Sequence, residues 1–181
     1  MIKVVRLLSL VVFLSLLPLS AHASIGLGVG AVDKSHFGYA VSFGGSLPAN
    51  FGVDFQIVGF MDKGLIDIYW LQTNANLNYD FNFLWKKFSE TIELHPYIKG
   101  GFTYGFLFSN AADVSVKMGR GPGFNFGGGI DWKIFPFLTI GADLTGSVVY
   151  LDGSTLSGFG ITPNETKAVF NALAFFKFFA Y

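Results

Sequence analysis

The 181-residue chain contains no cysteine, and only 13% of it is charged. Without cysteine there is no disulfide framework, no thiolate metal site and no lipidated cysteine at a mature N-terminus. Twelve basic and twelve acidic side chains cancel. That balance offers no electrostatic pull toward nucleic acid, and no nucleic-acid partner is expected. Histidine is scarce, and beyond residue 23 only His36 and His95 remain. Two histidines so far apart make no metal site, so neither a metal nor another cofactor is expected. Beyond residue 23 there is also no run of ~18 apolar residues that would make a helical span, and no long helical periodicity.

The abundant residues are glycine, with 23 copies, and phenylalanine, with 22. Glycine suits a tight interior, and aromatic side chains suit a membrane-facing surface. The first 23 residues stand apart. Lys3 and Arg6 charge the start, Leu7 to Leu17 is almost wholly apolar, Pro18 breaks the run, and Ala21-His22-Ala23 supplies small residues around His22. This is the layout of a secretory signal peptide, with an apolar core shorter than the ~20 residues of a spanning helix. Cleavage is expected between Ala23 and Ser24, leaving a single domain over 24–181 that is exported beyond the inner membrane.

The remaining chain reads as short stretches of period two, the mark of strands with unlike faces. The clearest runs from Gly121 to Tyr150. Phe124, Phe126, Ile130, Trp132 and Ile134 alternate with Asn125, Gly127, Gly129, Asp131 and Lys133. After a turn at Phe135-Pro136-Phe137, Leu138, Ile140, Ala142, Leu144 and Val148 alternate with Thr139, Gly141, Asp143, Thr145 and Ser147. A three-residue turn sets Trp132 against Ile140, Ile130 against Ala142 and Lys133 against Thr139, so the faces stay unmixed. Similar alternation predicts strands at Ile25 to Ala31, Phe37 to Gly44, Val53 to Met61, Tyr69 to Asp80, Ile98 to Phe108 and Lys167 to Tyr181. Turns or connections fall at Asp33 to His36, Pro48-Ala49-Asn50, Lys63-Gly64 and Asn82 to Thr91. Loops are predicted over 109–123 and 151–166.

Eight strands near the 9–11 residues of a tilted membrane strand define the expected fold, an all-β, antiparallel, up-and-down transmembrane barrel. The face opposite the apolar one carries glycine and little charge, which suits a filled lumen rather than a soluble surface. Closure also removes the free edge that lipid would not tolerate. Lys99, Asp131, Lys133 and Asp143 fall on the inward face and are expected to form a buried polar network, with Asp80 and Gln72 to Asn78 contributing. Aromatic residues near strand ends, among them Tyr39, Tyr79, Trp132, Tyr150 and Tyr181, are expected to form interfacial girdles. Lys177 shares the parity of Phe175, Phe179 and Tyr181. It is expected either to snorkel at the rim or to turn inward after a bulge.

The run His95-Pro96-Tyr97-Ile98-Lys99-Gly100-Gly101-Phe102-Thr103-Tyr104 resembles the proline-tyrosine-glycine strand of small outer-membrane β-barrel proteins. Phe124 to Asp131 followed by Leu138 to Tyr150 looks like the next hairpin of that group, which includes the membrane domain of the outer membrane protein A family and its tail-less relatives. The resemblance implies residence in the bacterial outer membrane, contact with its lipid, and insertion by the barrel-assembly machinery. Asp143, Thr145 and Ser147 stand where relatives often alternate arginine and glutamate. The chain has no room for a peptidoglycan-binding domain, so an anchoring role is not implied.

Three functions remain open on this reading. The first is a structural or surface-interaction barrel with a filled lumen, meeting any extracellular ligand through loops 109–123 and 151–166. The second is a small pore along the lumen. The third is a lipid-modifying enzyme, as exists on some small barrels. The deacylase pattern wants a serine two positions after a histidine, and neither His36 nor His95 has one, so no enzymatic role is expected. Gly119-Arg120-Gly121-Pro122-Gly123 lacks the lysine and the strand–helix setting of a phosphate loop and is read as part of an outer loop. A soluble lipocalin-like carrier is the remaining alternative.

Overall fold

The computed structural model describes residues 23–33, 36–62, 67–81, 93–111, 114–152 and 165–180. Its elements are β1 (Ala23–Val32), β2 (His36–Ser46), β3 (Phe51–Asp62), β4 (Asp67–Asp80), β5 (Glu93–Ala111), β6 (Val114–Phe135), β7 (Leu138–Leu151) and β8 (Glu165–Ala180). All neighbours are antiparallel, and β1 pairs with β8 from Ala23↔Ala180 to Val32↔Asn171, which closes the sheet. The eight-stranded, up-and-down barrel expected from the alternation is the fold. Ala23 and Ala180, the outer ends of β1 and β8, lie at one rim, called terminal here, and the opposite rim is called distal.

The two faces separate as the alternation requires. On β6, Phe124, Phe126, Ile130 and Trp132 are exposed, Phe126 at 68%, while Asn125 is buried. On β7, Thr139, Asp143, Thr145 and Ser147 are buried. An outward belt of phenylalanine, leucine, isoleucine and valine circles the molecule. No monomer exposes that much hydrocarbon to water without a purpose. A bilayer is the solvent in which it costs nothing. Tyr39 and Tyr150 lie outward toward the distal rim and Trp132 toward the terminal rim. Tyr79 makes edge contacts there with Phe51 and Phe81, centroids 5.1 and 5.2 Å apart. Tyr181 lies outside the described residues.

Several local expectations are corrected. The stretch 109–123 is largely strand, because β5 and β6 continue pairing to Ala111↔Val114, with one shift at Leu107/Phe108. Gly121 and Gly123 belong to β6, where a Cβ would collide with the backbone of β7 at Tyr150 and Val148; the glycines permit close strand approach rather than loop mobility. The turn after β6 is shorter than expected, spanning Pro136 and Phe137, and a register irregularity between Lys133 and Phe135 absorbs the extra residue. Trp132↔Ile140, Ile130↔Ala142 and Lys133↔Thr139 therefore pair as expected. In β8 the odd positions face inward without any bulge. Phe175 is buried, and Lys177 reaches the lumen. Gly28 makes room for Phe175, since a Cβ there would sit 2.6 Å from its ring. Lys63-Gly64, 82–92 and 153–164 fall outside the described residues.

Candidate functional site

The inward side chains divide the lumen by height. Toward the distal rim it is mostly hydrocarbon: Val32, Val58, Phe60, Trp70, Leu107, Val149, Leu151 and Val169 pack as one cluster with Leu173 and Phe175 below them, and the fully buried Asn171 lies between Val169 and Leu173 on β8. Trp70 is the largest of these. Gly105 opens the space for its ring, which a Cβ would approach to 2.7 Å. Lys167 lies over the Trp70 ring at 5.0 Å and pairs with Asp33 at 2.7 Å, closing the cluster from the distal side.

Below the cluster comes a layer of buried amides and hydroxyls. Gln72 Nε2 donates to Ser147 Oγ (2.7 Å) and to Asn74 Oδ1 (2.8 Å), and Asn74 Nδ2 donates to Gln56 Oε1 (3.2 Å). Each comes from an inward position of β3, β4 or β7, so one lumen height collects polar residues from three strands.

The next layer holds the charges. Lys99 Nζ donates to Asp143 Oδ2 at 2.6 Å, with side chains only 1% and 5% exposed. Two further groups complete Asp143: Thr145 Oγ1 donates to its Oδ1 (2.6 Å) and Tyr97 Oη to its Oδ2 (3.0 Å). A buried ion pair is tolerable only when its remaining lone pairs are satisfied in this way. Lys177 donates to both oxygens of Asp131 (2.8 and 2.7 Å) and stands 4.9 Å from the Tyr97 ring, which links the two pairs. Of the four residues expected to form one network, Lys99, Asp131 and Asp143 are connected in this string. Lys133 is not. Its ammonium lies at the terminal rim, 3.7 Å from Glu93, and is 40% exposed. Sequence reasoning missed the role of Lys177, because its parity was read from the neighbouring phenylalanines.

From this layer to the terminal rim the lumen is open. A cavity of about 340 Å³ is bounded by Asp54, Asp80, Asp131, Asp143, Tyr97, Phe175 and Lys177, among others. His36 and His95 lie at opposite ends of the barrel. His36 Nε2 is 3.3 Å from Asp62, and its ring stacks on Phe60. His95 Nε2 is 3.7 Å from Glu93. No group of three histidine or acidic residues among those described could hold a metal ion.

No sequence-family model and no curated protein sequence matches the chain. Its fold does match solved structures. The N-terminal β-barrel domain of Pseudomonas aeruginosa OprF aligns at TM-score 0.60 and 15% identity, covering 87% of this chain and 97% of that one. Neisserial surface protein A aligns at 0.60 and 13%, covering 87% and 95%. The outer membrane enzyme PagL aligns at 0.51 and 15%, covering 86% and 98%. The chain thus has the fold of small outer-membrane eight-stranded barrels.

Proposed function

We propose that this is a bacterial outer-membrane barrel that acts through its surface and is not a conduit. The observation that carries the reading is the distal apolar cluster around Trp70, to which seven of the eight strands contribute buried side chains. Ions crossing it would have to shed water into hydrocarbon, at a prohibitive cost. The outward belt supports residence in lipid, and outer-membrane barrels of this kind keep both termini on the periplasmic side. Export would use the N-terminal signal peptide, removed by cleavage between Ala23 and Ser24, and insertion would use the barrel-assembly machinery. The paired β5–β6 extension, together with the loop expected over 151–166, is the part of the surface offered to an extracellular ligand. Deleting residues 109–118 is expected to abolish such binding without unfolding the barrel, as read by heat-modifiable gel migration. The two histidines sit at opposite rims, too far apart to act together in one site.

A small pore is the second reading, favoured by the open terminal cavity. Planar-bilayer recording of the purified chain separates the two. No steady conductance is expected, and a stable, sizeable conductance would overturn the filled-lumen reading.

A further inference from the structure

The expected cleavage bond, between Ala23 and Ser24, lies in β1, the strand that closes the barrel on β8. Ala23 and Ser24 pair with Gly45 and Gly44 of β2 on one side, and with Ala180 and Phe179 of β8 on the other. Ser24 also lines the terminal cavity, as does Asp54 of β3. Cutting the bond converts the amide nitrogen of Ser24 into an α-ammonium, a cation that the uncut chain lacks. An ordinary α-amino group, with a pKa of about 7.7–8.0, is mostly charged at neutral pH.

Asp54 is the acid nearest to hand. Ser24, Gly44 and Asp54 stand in one register row across β1, β2 and β3, and the middle residue has no side chain. A Cβ on Gly44 would lie 3.1 Å from Ser24 Oγ and 3.9 Å from Asp54 Oδ1, so hydroxyl and carboxylate flank one point above the bare backbone. The α-nitrogen of Ser24 is three bonds from that hydroxyl oxygen, each ~1.5 Å long. Without Ala23 it is held from one side only and can swing toward the carboxylate. The carboxylate has an oxygen to offer. Asn76 Nδ2 donates to Asp54 Oδ2 at 3.1 Å, while Oδ1 accepts no hydrogen bond among the described residues. The lysines of the charged layer are committed elsewhere, Lys99 to Asp143 and Lys177 to Asp131, and Asp54 has no ion pair among the described residues.

We propose that signal-peptide cleavage supplies the missing partner of Asp54: the α-ammonium of Ser24 pairs with Asp54 Oδ1 across Gly44 and ties the end of β1 to β3 along the cavity wall. The tie forms only in the processed chain, so removal of the leader completes the terminal half of the lumen. Gly44 is the gap the pair needs, since a side chain there would stand between the two groups. On the cavity wall the pair is screened less by water than one on an open surface. The proposal rests on the cleavage reading above, and not on the filled lumen or on what the loops bind.

The test uses the processed protein purified from membranes and unfolded by urea in lipid vesicles. Periodate cleaves the Cα–Cβ bond of an N-terminal serine and leaves an aldehyde in place of the amine, while internal serines are untouched. The treatment is expected to lower the folded-to-unfolded ratio about fivefold in the wild-type chain and less than about twofold in Asp54→Asn. Ser24→Ala, which keeps the ammonium and loses the hydroxyl, is expected to stay within about twofold of wild type. In NMR spectra of the wild-type chain in micelles, the carboxyl carbon of Asp54 is expected to shift on periodate treatment and that of Asp131 to stay. Equal losses with and without the Asp54 carboxylate, a Ser24→Ala loss as large as the periodate loss, or an unmoved Asp54 carbon would overturn the pairing. The spectra decide even if Asp54→Asn fails to fold. Mass spectrometry of the purified chain separates the two readings. A first residue other than Ser24 overturns the cleavage and the pairing with it, whereas Ser24 at the start with equal losses overturns the pairing alone.

Discussion

The distal and terminal halves of the lumen are built on the same strands with opposite chemistries. On β4, Trp70 ends in hydrocarbon and Asp80 in an open cavity; on β7, Val149 is packed in the cluster while Asp143 holds an ion pair. The distal half is closed by shape, with Gly105 shaped around Trp70. The terminal half is held by direction, through hydrogen bonds that fix each carboxylate. Packing tolerates rearrangement better than charge does. A methylene lost from hydrocarbon leaves a small void, while a partner lost from a buried ion pair leaves a bare charge.

Substitutions should expose that difference. Asp143→Leu strands the Lys99 ammonium in a dry site and is expected to cost about 3–5 kcal/mol, read by urea unfolding in lipid vesicles. Adding Lys99→Met to that variant should recover most of the loss, because the double removes both charges. The pair at Asp131 is a control. It is 16–18% exposed and faces the cavity. Lys177→Met should therefore cost far less than Asp143→Leu. In the distal half, Trp70→Ala is expected to cost about 3 kcal/mol, with no partner substitution able to restore it. Equal losses from Asp143→Leu and Lys177→Met would erase the distinction between the two layers.

Much of the fold was legible in the residues because alternation in a barrel has only two sides. Asn125, Asp131, Thr139, Asp143 and Thr145 announced the inward face of β6 and β7 by their polarity. The distal cluster was legible by parity only. Val58 and Phe60 share the parity of Asp54 and Gln56 and are inward with them, but being apolar, like Trp70, they carry no polar mark of that face. Phe175 and Lys177 were not legible. A phenylalanine beside other phenylalanines reads as lipid-facing, and only the glycine pocket at Gly28, on another strand, reverses it. The glycines of 119–123 read as loop because their backbone contacts lie across the sheet rather than along the chain. Pairing of Lys133 with Glu93 depended on where β5 begins, a boundary that periodicity does not fix.

Orientation of the two faces is the premise on which the rest depends, and the absence of cysteine makes it directly measurable. Single cysteines placed in turn from Phe124 to Asp131, spin-labelled and reconstituted in vesicles, report oxygen accessibility by power saturation. The expected result is a period of two, with maxima at Phe124, Phe126 and Ile130 and minima at Asn125 and Asp131. Maxima at Asn125 and Asp131, or a flat profile, would contradict a lipid-facing belt around a side-chain-filled lumen.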